Sequence, residues 1–113
     1  MDTGTLFAGV AVSEFETAQH WYERFFDRPA DVVAHATEVM WKATASGWMY
    51  IVRDLDHAGH SIVAIVVPDL EQTVAALLER GIESGPIDRQ SENARKAVVV
   101  DPDGNSIGII EVH

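Results

Sequence analysis

The stretch Val98-Val99-Val100-Asp101-Pro102-Asp103-Gly104-Asn105-Ser106-Ile107-Gly108-Ile109-Ile110-Glu111 decides the fold. Two β-branched runs flank a turn built from Asp, Pro and Gly. The Asp101 side chain can hold such a turn, Pro102 fixes φ at its first central position, and Gly104 tolerates positive φ. A closing hairpin follows, with strands over 96–100 and 107–112.

Working back from the hairpin, residues 82–90 read as a loop with a short strand near Pro86. Before them lies an amphipathic helix. Asp69 is its N-cap, Gln72 completes a capping box, and Leu70, Val74, Leu77 and Leu78 make its apolar stripe. Gly81 stands where a left-handed residue ends the helix. Residues 61–67 are a β-branched strand.

The first half of the chain has the same order. A strand over 6–12 leads to Ser13, an N-cap with Glu16 three residues on. Phe15, Ala18, Tyr22, Phe25 and Phe26 form a wide helical face, and Asp27-Arg28-Pro29 ends it. Residues 31–43 read as strand with a bend near 35–37, and a further strand runs over 48–53 after the Ala45-Ser46-Gly47 turn. The segment Val10-Ala11-Val12-Ser13-Glu14-Phe15-Glu16 matches Ile65-Val66-Val67-Pro68-Asp69-Leu70-Glu71 at an offset of 55 residues. An offset near half the chain means two similar modules and not a solenoid. One α+β domain over 1–113 is expected, with module one at about 6–53, a polar linker at 54–60 and module two at about 61–112. Each module reads βαβββ, giving eight mostly antiparallel strands in a curved sheet with two helices.

The chain has 113 residues, 47% of them hydrophobic, enough for one core. A domain this short buries only roughly two thirds of its unfolded surface, which favours oligomerisation. Eighteen acidic residues against eight basic ones give a net charge of −10. Without a basic cluster, nucleic-acid binding and anionic-membrane binding are not expected. Cysteine is absent, which excludes disulfides, thiolate metal sites and a cysteine nucleophile. No apolar run approaches the ~20 residues of a membrane helix. The first residues lack a basic segment followed by an apolar one, so a cytoplasmic protein is expected.

The repeat, the two helix starts, the Trp21-Tyr22 pair and the Asp101-to-Glu111 hairpin resemble the glyoxalase/bleomycin-resistance/dioxygenase family of the vicinal oxygen chelate superfamily, over about residues 6–112. The resemblance implies paired βαβββ modules around a cleft, and a homodimer. In the family's enzymes it implies a divalent metal that binds neighbouring substrate oxygens as a Lewis acid. Ligands for such ions are imidazole or carboxylate. Carried over one at a time, the family's ligand positions fall on Phe7, Ile62, Gly108 and either Met49 or Tyr50. Only a Tyr50 phenolate has a donor to offer. The reading is therefore that no metal or other cofactor is held, with a divalent metal as the alternative.

Other residues invite chemistry. His57 and His60, with Asp54 and Asp56, flank the linker but match no compact metal motif. His20 belongs to the outer side of the first helix, and His113 is terminal. Ser61 and Ser106 lack the glycine-framed elbow of hydrolases. Glu38, His35, Tyr50 and Glu111 are the residues available for catalysis. Trp41 and Trp48 lie on successive strands and can wall an aromatic site. Together with Phe7, Ile62 and the space at Gly108 they make an apolar cleft.

Three functions are compatible with these residues. One is a metal-free homodimer that binds a small, partly aromatic molecule, as bleomycin-resistance proteins do. Another is a glyoxalase- or dioxygenase-like enzyme (lyase, isomerase or oxidoreductase) with an atypical metal site or none. The last is a dimeric structural module that binds nothing small.

Overall fold

A computed structural model describes residues 1–113. The elements run β1 (Leu6–Val12), α1 (Phe15–Phe26), β2 (Val32–His35), β3 (Glu38–Lys42), β4 (Gly47–Arg53), β5 (Ile62–Val66), α2 (Leu70–Glu79), β6 (Asp88–Ser91), β7 (Ala94–Val100) and β8 (Ser106–Val112). This is βαβββ taken twice, as the repeat implies. The eight strands fall in two four-stranded sheets, one per module, ordered β1-β4-β3-β2 and β5-β8-β7-β6. Each sheet is mixed. Its first strand pairs parallel with its last, and its other two pairings are antiparallel. The helix and two strands between β1 and β4 supply the long crossover that parallel neighbours require.

Alternation along the strands gives each sheet two faces. Val10, Val12, Val39, Trp41, Met49 and Ile51 are buried on one face of the first sheet, and Ala97, Val99, Ile107 and Ile109 on one face of the second. The helices cover these faces. Ala18, Trp21, Tyr22 and Phe25 of α1 and Leu70 and Leu77 of α2 join the same continuous core. Leu78, read as part of the α2 stripe, is exposed.

The helix ends follow two different logics. At α2 the Asp69 carboxylate accepts from the Gln72 N–H at 3.0 Å, and Gly81 adopts φ +82°, as the sequence predicts. At α1 the predicted Ser13 cap does not form. Glu14 takes the N-cap position without a side-chain bond. Ser13 instead donates its N–H and its hydroxyl to the Asp103 carboxylate of the closing turn. The helix closes at Asp27, which adopts φ 58°, two residues before Pro29. β6 begins beyond Pro86, whose ring leaves no N–H for a ladder.

That closing turn also latches the two modules together. Asp101 Oδ1 accepts from the Asp103 and Asn105 N–H groups, each at 2.9 Å. Its Oδ2 accepts from the Tyr22 hydroxyl and from Asn105 Nδ2, each at 2.8 Å. Asn105 Nδ2 also donates to the Ala11 carbonyl, and Asn105 Oδ1 accepts from Ser61 N, both at 2.8 Å. Ser61 Oγ in turn accepts from Ala11 N at 3.2 Å. One turn thus joins β1, α1 and the start of β5. Burial, then the neighbouring Asp101 charge, pushes the Tyr22 phenol well above its ordinary pKa and keeps it a donor.

Candidate functional site

With helices on one face of each sheet, the other face is open. In the first sheet the register places Phe7 beside Trp48, Gly9 beside Tyr50, and Tyr50 opposite Met40. In the second sheet it places Ile62 beside Ser106, Ala64 beside Gly108, and Gly108 opposite Val98. Phe7, Tyr50, Ile62 and Gly108 therefore share the open faces at matching positions of the two modules. Met49 is 1% exposed in the core, so Tyr50 is the residue that meets the open side.

The open faces are apolar. Phe7 and Trp48 stack with ring centroids 6.1 Å apart at 21°. Phe7 is 49% exposed and Ile62 84% exposed, and Val66, four residues further along β5 on the same face, is exposed. The glycines matter here through close approach. A Cβ at Gly9 would overlap the Tyr50 ring, which lies across β1. A Cβ at Gly108 would stand 2.7 Å from Lys96 Cε, because the Lys96 stem lies across β8. Lys96 escaped the sequence reading, although β-strand alternation from Val98 and Val100 already puts it on that face.

Trp41 does not belong to this wall. It pairs with Met49 and faces the core, fully buried, while Trp48 faces the open side. Its ring stacks on Phe26 at 5.2 Å, and Nε1 donates to the Arg28 carbonyl at 3.1 Å. Adjacent strands bring the two tryptophans near in sequence register but on opposite faces, since one residue switches the face.

The residues named for catalysis are scattered. Glu111 is buried, accepts from the Leu70 N–H at 2.9 Å and from Arg95 Nη2 at 2.9 Å, and thereby anchors the α2 N-terminus. The Leu70 N–H, then Arg95, holds its carboxyl below the ordinary range. Arg95 also reaches Glu71 at 2.8 Å. Glu111 is thus a structural residue, on the helix side of the sheet. His35 and Glu38 do come together, Nε2 to Oε1 at 3.4 Å, at the exposed β2–β3 turn. Tyr50 stands apart over Gly9. At the linker, His57 Nδ1 lies 2.8 Å from Asp54 Oδ2, which lowers the Asp54 pKa.

The donor set does not fit a divalent metal. The four matching positions offer no imidazole or carboxylate, and nowhere do three or more His, Asp or Glu side chains gather as a ligand group. The hollows of the chain are equally telling. The apolar ones, at the β1–β5 seam and between α1 and α2, measure about 130 and 170 Å³. A small-molecule pocket takes about 300–1,000 Å³. The larger hollows, about 750 and 530 Å³, are surface grooves lined mainly by polar residues such as His20, Arg24 and Arg80, or Ser13, Glu16 and Arg53. One chain alone therefore presents an apolar wall and no enclosed apolar site of ligand size.

No protein-family model matches the sequence, and no curated protein matches it. Solved structures do. A glyoxalase/bleomycin resistance protein from Catenulispora acidiphila DSM 44928 superposes with a TM-score of 0.90 at 34% identity, covering 98% of this chain and 100% of that one. A glyoxalase/bleomycin resistance protein from Albidiferax ferrireducens T118 shares the fold at a TM-score of 0.71 and 20% identity, over 95% of this chain and 97% of that one. TnmS3, an antibiotic-binding protein from Streptomyces sp. CB03234, shares it at 0.75 and 22%, over 99% and 98%.

Proposed function

The chain belongs to the glyoxalase/bleomycin-resistance family, and from that premise we propose that it binds a small, planar, partly aromatic molecule, without a metal, between the open sheet faces of a homodimer. The observation that carries this reading is the stacked, half-exposed Phe7–Trp48 pair on a face where the matching positions bear no metal donor. Aromatic faces left open to water favour a flat apolar partner, with stacking worth about 0.5–1.5 kcal/mol beyond the area it buries. A relative in fold whose role is antibiotic binding supports the same class of activity. The dimer follows from area and volume. Phe7, Ile62 and Val66 leave apolar surface uncovered on the open faces, and a second copy would both cover it and supply the missing wall of the site.

The test is a screen of planar aromatic compounds by thermal shift and tryptophan fluorescence, on the native chain and on Trp48→Ala. The reading expects ligands that raise Tm and quench Trp48, and that lose both effects in the variant. Ligands that act equally on Trp48→Ala would refute the placement of the site. A second reading, acid–base catalysis, has one observation in its favour, the His35–Glu38 pair. Turnover abolished by Glu38→Gln with ligand binding intact would establish it.

A further inference from the structure

The open face of the second sheet carries an unpartnered cation. Lys96 stands between Arg95 and Ala97 on β7, and alternation turns it away from the core in which Ala97 is buried. Its stem crosses β8 above Gly108. A Cβ built there would lie 2.7 Å from Lys96 Cε and 3.4 Å from Nζ. The absence of a side chain at 108 is what lets the ammonium settle on the middle of the sheet. Its register neighbours there are Ile110 and, through Gly108, Val98 and Ala64.

Lys96 joins none of the ion pairs of the fold and none of its side-chain hydrogen bonds to other residues. Asp88 is its partner across β6–β7, yet the two make no ion pair. Arg95, the adjacent cation, is committed on the other face to Glu71 and Glu111. Lys42 is also on an open face, opposite Trp48, but it is exposed to water at the end of its strand. Lys96 as a residue is half-buried, and an ammonium lying against apolar neighbours interacts more strongly with an anion than one in bulk water does.

We infer that Lys96 reads the charge of the ligand, and that the molecule bound is a planar aromatic carrying an anionic oxygen, a carboxylate or phenolate, that pairs with Nζ above Gly108. This rests on the binding reading above and adds to it the chemical class of the ligand and the residue that selects it. The net charge of −10 works against anions at long range. At physiological salt the screening length is about 8 Å, so a direct contact survives while the global repulsion fades.

The experiment uses three probes with one ring system and three charges: 2-naphthoate, 2-naphthamide and 2-(aminomethyl)naphthalene. Affinities are measured by calorimetry at physiological salt for the native chain, Lys96→Met, Lys96→Arg and Lys42→Met, each checked for an unchanged melting transition. A charge-assisted hydrogen bond of ordinary strength makes naphthoate bind about tenfold or more tighter than naphthamide. That preference should vanish in Lys96→Met and persist in Lys96→Arg and Lys42→Met. Equal affinity for acid and amide in the native chain, or a preference that survives Lys96→Met or dies with Lys42→Met, overturns the role of Lys96 while leaving the aromatic site standing. Failure of all three probes to bind removes the site itself, and this inference with it.

Discussion

Trp41 and Trp48 show how much rests on single residues. They are seven positions apart in the sequence, and strand alternation sends them to opposite faces. Trp41 is packed on Phe26 and hydrogen-bonded to Arg28, so Trp41→Ala should cost about 3–5 kcal/mol, the range for emptying a large aromatic site. Trp48→Ala, on the open face, should cost about 1 kcal/mol or less in stability and abolish planar-ligand quenching. Urea denaturation of the two variants, with a fluorescence titration of the second, separates a core residue from a binding one. The same scale explains why Lys96 stayed invisible. Its importance depends on where a flexible stem lies over Gly108, and sequence gives the face of a residue but not the reach of its side chain.

At the scale of elements, the closing hairpin was legible as a turn because Pro102 and Gly104 carry their backbone preferences with them. Its second role was not. Asp101, Asp103 and Asn105 look local in sequence, yet they bond Tyr22, Ser13, Ala11 and Ser61, up to 94 residues away. For that reason Ser13 is drawn from helix capping into the latch. Asn105→Ala would leave the buried Ala11 carbonyl and the partly buried Ser61 N–H without their partner. At about 1–3 kcal/mol for each orphaned group, the loss should reach about 3 kcal/mol, readable as a drop in the denaturant midpoint. The α2 anchor responds to acid instead. Glu111 has a folded pKa held below its unfolded value of about 4.3, so its contribution is complete above that pH and disappears as pH falls through the lower folded value. Melting curves of the native chain and Glu111→Gln should therefore differ at neutral pH, begin to approach each other as pH falls below about 4.3, and converge only below the lower folded value.

For the whole molecule, the internal repeat carried most of the fold. Matching strand–helix segments 55 residues apart implied two βαβββ modules, and the structure has them. Repetition does not say how the modules meet; each forms its own four-stranded sheet. Nor does it show that the apolar hollows of one chain are too small for a ligand. That shortage is the physical argument for a second copy, and sedimentation equilibrium should return twice the mass of the chain. A chain that remains monomeric at every concentration would remove the second wall of the proposed site.

The central claim is an aromatic binding face that needs no metal. Calorimetric titration of 2-naphthoate into protein stripped with a chelator, repeated after adding zinc or manganese and with Phe7→Ala/Trp48→Ala, tests it most directly. The account predicts saturable binding to the stripped protein, unchanged by metal and absent from the double variant. Binding that appears only with metal, or that the double variant retains, would contradict it.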